Sequence, residues 1–487
     1  MSPYLVLFIL IAYFAVLLTI SYYTSRGADT NTFFTAGKNS PWYLVAYSMI
    51  GTALSGVTFI SVPGNVGNNQ FSYFQFVLGN IVGYMVVAYV LMPMYYRLNL
   101  VSIYTYLEQR FGFWSYKMGA LSFLVSRTIG ASFRLFLTAA VLQIGLFGQW
   151  GVPFWVNVFI TIALIWLYTA KGGIKTILWT DAFQTTFLVS AVIISVTLIA
   201  RELNLSPGSL IEMVRESDAS QMFFFDDPKS GKYFYKQFFA GVFITIAMFG
   251  LDQDLMQKNL TCRSLKDAQK NMLTFSGVFL GINILFLTLG ALLYLYANSK
   301  GIDIPARTDY LYPTLALNHF GLLAGISFLL GITASSYASA DSALASLTTS
   351  FCIDFLNFEK RPEAERKRLK TIVHLALSGV LLLVILAFNA LNDESVVTAV
   401  FTAAGYTYGP LLGMYAFGML TKWQVRDRFV PVVCILSPVL CYIINKNSKE
   451  WLNGYQFGFE ILILNGLLTF VGLLMLSTRK VSEPQRV

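Results

Sequence analysis

Apolar residues fall in long uninterrupted runs, without the alternation of a strand or the single stripe of a surface helix. Thirteen such runs lie near residues 3–23, 41–66, 73–96, 118–148, 153–170, 177–200, 237–252, 271–298, 321–352, 369–390, 394–420, 429–445 and 456–477. A bilayer core takes roughly 20 apolar residues per helix, so each run predicts one membrane-crossing helix. Little chain is left for a soluble domain; the longest interval, Arg201 to Lys236, is a loop of mixed charge. The first run lacks a basic leader and a small-residue cleavage site, which predicts a retained helix.

Two runs carry interruptions. The second contains Gly51-Thr52-Ala53-Leu54-Ser55-Gly56-Val57-Thr58 and then Pro63-Gly64; the seventh ends on Gly250-Leu251-Asp252-Gln253-Asp254. With an odd number of spans, two five-helix halves of one domain (residues 41–200 and 237–420) run in opposite directions through the membrane. The helix at 3–23 and the two helices within 429–477 are additions to that core. Inverted halves with broken helices are a transporter pattern, with the binding site where the halves meet. The first interruption points there; the second is also what an ordinary helix end would give.

Composition sharpens the class. Hydrophobic residues make up 56% of the 487 and charged residues 12%, against about 25% charged in soluble domains. A soluble enzyme, a disordered chain and a nucleic-acid binder are excluded on that ground. The net charge of +9 reflects position: with the N-terminus outside, 23 of the 34 Lys and Arg fall in inner segments, nine in outer ones and two inside a span. That is the positive-inside rule, and it predicts a plasma-type membrane location with a cytoplasmic C-terminus. Lys258, Arg263, Lys266 and Lys270 count here as one inner loop, and Glu359 to Lys370 as a solvated inner loop. The ten residues after Ser477 are too short for a signalling module, which disfavours a membrane sensor. Cys262, Cys352, Cys434 and Cys441 have no framework or zinc spacing. His319 and His374 lie near predicted loop edges and read as surface or interface residues. No cofactor, nucleic acid or obligate protein partner is expected.

Polar residues inside the runs carry the chemistry, because intramembrane charge is costly and usually faces a cavity or a partner. Arg127 and Arg134 are seven apart, on nearly one helix face. A guanidinium suits the carboxylate of a solute; pairing with a buried acid or snorkelling are the alternatives. Asp181 lies about one turn inside its run, with Gln184 and Thr185 on the same face. It is placed to bind a cation, to carry a proton, or to pair with an arginine. Ser335, Ser339, Ser342 and Ser346 form one stripe, and Asp341 lies about 100° from it. Hydroxyls, freed carbonyls and a carboxylate suit sodium; close helix packing explains the serines equally well but not the charge. Tyr73 and Phe74 are either a gate or interfacial aromatics.

These residues resemble the sodium:solute symporter family, whose inverted-repeat fold is shared with the leucine-transporter group. The resemblance runs over nearly the whole chain. It is carried by Phe34-Thr35-Ala36-Gly37-Lys38, by Gly172-Gly173 through Thr180-Asp181 with Gln184, and by Ala338-Ser339-Ala340-Asp341-Ser342. It implies sodium-driven import of a small polar organic solute (a sugar, sugar acid, amino acid or other organic acid), with a proton-coupled transporter of the same fold as the alternative. The implied main sodium site uses carbonyls of Gly51, Leu54, Ser335 and Ala338 and the Ser339 hydroxyl. Ala338 stands where many members have a hydroxyl. A second ion site falls on Asp181, Asp341 and Ser342. Likeness to sialic-acid-transporting members puts the solute at Ala53, Ser55, Thr58, Tyr73, Val77 and Gly130. Gly130 replaces their arginine, with Arg127 and Arg134 one turn either side.

Overall fold

The structure, a computed structural model, describes residues 2–25, 36–356, 358, 361–391 and 395–481. Arg26, Phe34, Thr35, Glu359, Lys360 and Arg486 lie outside the described residues, as do the side chains of Lys171, Arg479 and Lys480. All thirteen apolar runs carry helix: α1 (Pro3–Thr24), α2 (Trp42–Ala53), α3 (Val57–Gly64), α4 (Tyr73–Arg97), α5 (Phe113–Trp150), α6 (Phe154–Thr169), α7 (Gly173–Glu202), α8 (Phe234–Gly250), α9 (Gln253–Asn259), α10 (Leu265–Lys300), α11 (Gly321–Phe355), α12 (Glu363–Leu391), α13 (Val396–Thr407), α14 (Gly409–Leu420), α15 (Asp427–Trp451) and α16 (Ile461–Met475). Among the described residues, eight helices are long and apolar enough to cross a bilayer, or ten with each bent pair taken as one span. The helices α6, α13, α14 and α16 are shorter.

The bent pairs are α2–α3, at 61°, and α8–α9, at 69°. The second corrects the sequence expectation for 237–252: that helix does not stop at Asp252 but turns and continues to Asn259. The chain also starts α7 earlier than expected. Gly173 takes φ 58°, a conformation glycine adopts without strain, and separates α6 from α7. Asp181 is therefore more than two turns into its helix. The interval 201–236 contains a helix of its own, Pro207–Glu216. An antiparallel ribbon, Trp423–Val425 with Ser477–Val481, is the exception to an all-helical chain among the described residues.

Helix α11 is the axis of the bundle, buried without interruption from Gly331 to Ser350. Its Ala, Ser, Thr and Gly side chains let α2, α5, α7 and α12 approach closely. A second close crossing joins α4 to α8. A side chain at Gly79 would collide with the Phe238 carbonyl, and one at Gly241 with the Phe76 carbonyl. Outward faces are apolar: Tyr4, Phe8 and Ile11 of α1 and Ile435, Leu436 and Val439 of α15 are exposed, as lipid contact requires.

Side chains from distant segments close the helix ends. Arg110 donates to the carbonyls of Gly418, Thr421 and Trp423 at 3.1, 2.9 and 2.9 Å, satisfying the C-terminus of α14. Asp427 accepts from the Trp114 and Ser115 N–H groups, both at 2.8 Å, and so caps α5 from a distant segment. Asp309, between α10 and α11, accepts the Val396 N–H at the start of α13 at 2.9 Å. Burial raises its carboxyl from the ordinary value of 3.8.

Candidate functional site at the helix breaks

The break between α2 and α3 begins at Leu54, which leaves helical geometry (φ −86°, ψ 69°) after its N–H bonds the Ile50 carbonyl at 2.8 Å. A helix end leaves its last carbonyls without ladder partners. Among the described residues the carbonyls of Gly51 and Leu54 accept no hydrogen bond. At the α8–α9 break the freed carbonyls are taken by protein. Tyr95 donates to Gly250 O at 2.8 Å and Tyr104 to Leu251 O at 3.1 Å. The Gln253 side chain holds the Ile103 N–H and the Val101 carbonyl at 3.0 and 2.8 Å. One break is closed by its neighbours; the other presents open oxygen atoms.

The first break packs closely against α7 and α11. A methyl group in place of the Gly51 hydrogen would lie 3.6 Å from the Ala338 Cβ and 2.5 Å from Thr185 Oγ1, so Gly51 is wedged between α7 and α11. Ser335, Ala338 and Ser339 are all buried on this stretch of α11. The Ser339 hydroxyl also accepts from Arg134 Nη1 at 3.3 Å.

Beside this break is a cavity of about 50 Å³, walled by Thr52, Ala53, Ser55, Thr58, Tyr73, Asn80, Arg127 and Arg134 on its polar side. Phe76, Phe249, Phe279, Phe401 and Met248 form the apolar side. Val77 is buried but is not a wall of the cavity, and Gly130 has nothing within 4 Å of where its Cβ would sit. A wider vestibule of about 340 Å³ opens beside the 230–232 segment, bordered by Asn65, Gln70, Lys232 and Phe459. Tyr73 borders both spaces and stacks on Phe76 with centroids 5.3 Å apart; Phe76 in turn meets Phe401 at 5.0 Å. Tyr73 is thus the partition between vestibule and cavity. Phe74 points elsewhere, edge-on to Phe223.

The charged residues separate the two arginines. Arg127, 3% exposed, is ion-paired with Asp254 of α9. Arg134 has no carboxylate partner among the described ion pairs, and its Nε–H is buried without a hydrogen bond. The expected second ion set does not share a partner. Asp181 is ion-paired to Lys258 at 2.5 Å and accepts from Ser48 and Thr52 at 3.1 and 2.9 Å. Ser342 donates to Asp254. Asp341 accepts from Tyr168 at 2.8 Å, with its Oδ1 unpartnered among the described residues.

Lys258 corrects the loop assignment, being fully buried on α9. His374 is corrected likewise: it is 2% exposed, wedged between Thr169 and Thr348 at 3.2 and 2.9 Å. Sequence reasoning also missed Asp252, which caps α9 and accepts from Tyr408. The available signal was Asp254 and Lys258 at four-residue spacing directly after a glycine-interrupted run.

The family model for the "Sodium:solute symporter family" matches residues 33–425. The chain is 26% identical over 407 residues to the human sodium/iodide cotransporter, covering 81% of this chain and 62% of that protein, so it spans less than two thirds of that relative. It is 24% identical to a sodium/sialic acid symporter of Aliivibrio fischeri, covering 88% and 86% of the two chains. Among solved structures it resembles a Na+-coupled sialic acid symporter in a substrate-bound, outward-open state, with a TM-score of 0.82 at 19% identity over 96% and 97% of the chains. That likeness shows the fold, the leucine-transporter-like inverted repeat. The chain belongs to the sodium:solute symporter family and is a multi-pass membrane transporter, not an enzyme.

Proposed function

We propose that this protein is a sodium-coupled importer of a compact organic or inorganic monoanion, working by alternating access from a plasma-type membrane with its N-terminus outside. The observation that carries the solute class is Arg134, a cation in the cavity wall without a carboxylate of its own. A solute anion would complete it, as Asp254 completes Arg127. The cavity's small volume and its aromatic and Met face favour a poorly hydrated anion over a sugar acid, whose many hydroxyls would need polar partners there. Iodide is an anion and sialic acid a carboxylic acid, and these are the solutes named for the two relatives.

Sodium is assigned to the first break. Its ligands are the open carbonyls of Gly51 and Leu54, the Ser335 and Ala338 carbonyls, and the Ser339 hydroxyl. A sodium ion there holds α2 against α11 and completes the cavity wall at Ala53, Ser55 and Thr58. The solute anion offsets the sodium and Arg134 charges together, so ion and solute each favour the other's binding. One sodium carried with one monoanion moves no net charge. Uptake then draws on the sodium gradient and not on the membrane potential, which acts only on net charge, at about 2.3 kcal/mol per 100 mV. Asp341, buried with its Oδ1 unpartnered among the described residues, favours proton coupling as the second reading.

Proteoliposomes under an inward sodium gradient, offered labelled iodide, acetate, lactate or N-acetylneuraminate, test this. Sodium-dependent uptake of iodide or a short carboxylate is expected, with loss in Arg134→Gln. Uptake that follows a proton gradient and ignores sodium would refute the ion assignment. Uptake of a neutral sugar untouched by Arg134→Gln would refute the solute class.

A further inference from the structure

Helix α9 is seven residues long and wholly buried, yet it carries Asp254 and Lys258. At four-residue spacing these two would ordinarily pair with each other. Each instead pairs with a different helix. Asp254 takes Arg127 of α5 and the hydroxyl of Ser342 on α11, while Lys258 reaches Asp181 of α7 and Thr52 of α2. The Lys258 ammonium is surrounded by the oxygen donors a small monovalent cation would take: a carboxylate oxygen at 2.5 Å and a threonine hydroxyl. Thr52 also donates to that same Asp181 oxygen at 2.9 Å, and Ser48 does so at 3.1 Å. Three oxygen-bearing groups from two helices, Asp181 of α7 with Ser48 and Thr52 of α2, thus meet at one point, and a cation tethered to a third helix joins them there.

We propose that the Lys258 ammonium is the resident cation at Asp181, so that the position where a second ion would bind is permanently occupied and transport couples to a single sodium. This rests on the sodium reading above and adds the residue that sets its stoichiometry. Lysine suits the role, since its ammonium is a compact point charge with three donors on a flexible stem. A free ion beside it would face direct like-charge repulsion inside a low-dielectric bundle. The other residues that would enlarge such a site are engaged elsewhere: Ser342 with Asp254, and one Asp341 oxygen with Tyr168. Lys258 is a positioning residue: it touches neither solute nor sodium, and acts by holding Asp181.

The test counts radioactive sodium bound at saturation by the purified full chain, which needs no knowledge of the solute and reads something a structural role alone would not change. One ion per folded chain is expected for the unaltered protein and for Lys258→Arg. Two are expected for Lys258→Gln, falling back to one when Asp181→Asn is added. Two ions on the unaltered protein or on Lys258→Arg would overturn the proposal while leaving sodium coupling in place, and this holds even where Lys258→Gln fails to fold. One ion on a folded Lys258→Gln overturns it equally. No sodium on the unaltered protein but one on Lys258→Gln would keep the lysine assignment and sink the sodium reading. None on either sinks both.

Discussion

Removing either member of the Arg127–Asp254 pair leaves a bare charge at a position 3% or 1% exposed. Loss of one partner of a buried pair costs about 3–5 kcal/mol, whereas replacing both by apolar residues is often neutral. Asp254 also holds the Ser342 hydroxyl, and that donor becomes orphaned when the carboxylate goes, at about 1–2 kcal/mol. Arg127→Leu should therefore cost about 4 kcal/mol, Asp254→Leu about 5, and the double variant only about 2. The coupling energy is then about 7 kcal/mol, far beyond the few tenths expected of independent sites. The assay is thermal unfolding of the three variants and the parent in one detergent at one sodium concentration. At about 1–2 °C per kcal/mol for a chain this long, each single variant falls clearly below the double. If the double falls by the sum of the singles, the pair is not the unit described and α9 is held by something else.

Other positions give sharper single readings. Ala338→Ser restores a hydroxyl against Gly51 and should lower the sodium concentration for half-maximal thermal stabilisation by about tenfold, or about 1.4 kcal/mol; an unchanged or weakened titration would argue against sodium at that break. Gly79→Ala drives a methyl into the Phe238 carbonyl and should cost about 1–3 kcal/mol by overpacking, whereas Gly277→Ala, where nothing lies within 4 Å, should not; equal melting temperatures would mean α4 and α8 cross less tightly. Tyr73→Ala removes the partition between vestibule and cavity, so a cysteine placed at Ser55 should react faster with a membrane-impermeant thiol reagent; unchanged labelling would move the gate elsewhere. A carboxyl whose folded pKa is raised favours the fold fully only below its unfolded pKa, and that contribution is lost as pH climbs towards the folded value. Asp309→Asn should therefore gain on the parent as pH rises from about 4, and a melting-temperature difference constant with pH would contradict the buried carboxyl.

How much of this was legible in the sequence depends on what each residue's role requires. The broken α2–α3 helix was visible because glycine, serine and proline cluster inside an apolar run, a local signal that needs no partner. Asp181, Ser339 and the two arginines were visible because a polar group inside a span is conspicuous on its own. The fate of each was not. Arg127 and Arg134 are the same residue on one helix face, and the sequence gives both the same alternatives. They diverge because α9 turns in at the second break and lands its Asp254 on Arg127 alone. Lys258 was hidden by the company it keeps: with Arg263, Lys266 and Lys270 close behind, any count of positive charge assigns it to a loop. Only the 69° bend after Gly250 carries it inward rather than onward. A short polar helix folded back into the bundle therefore settles three questions at once. It pairs with one arginine and leaves the other without a carboxylate among the described ion pairs, and it sets the Lys258 ammonium on the carboxylate expected to bind a mobile cation. Such pairing is a property of where two helices meet, so it is written in the contact between distant segments and not in the spacing of either.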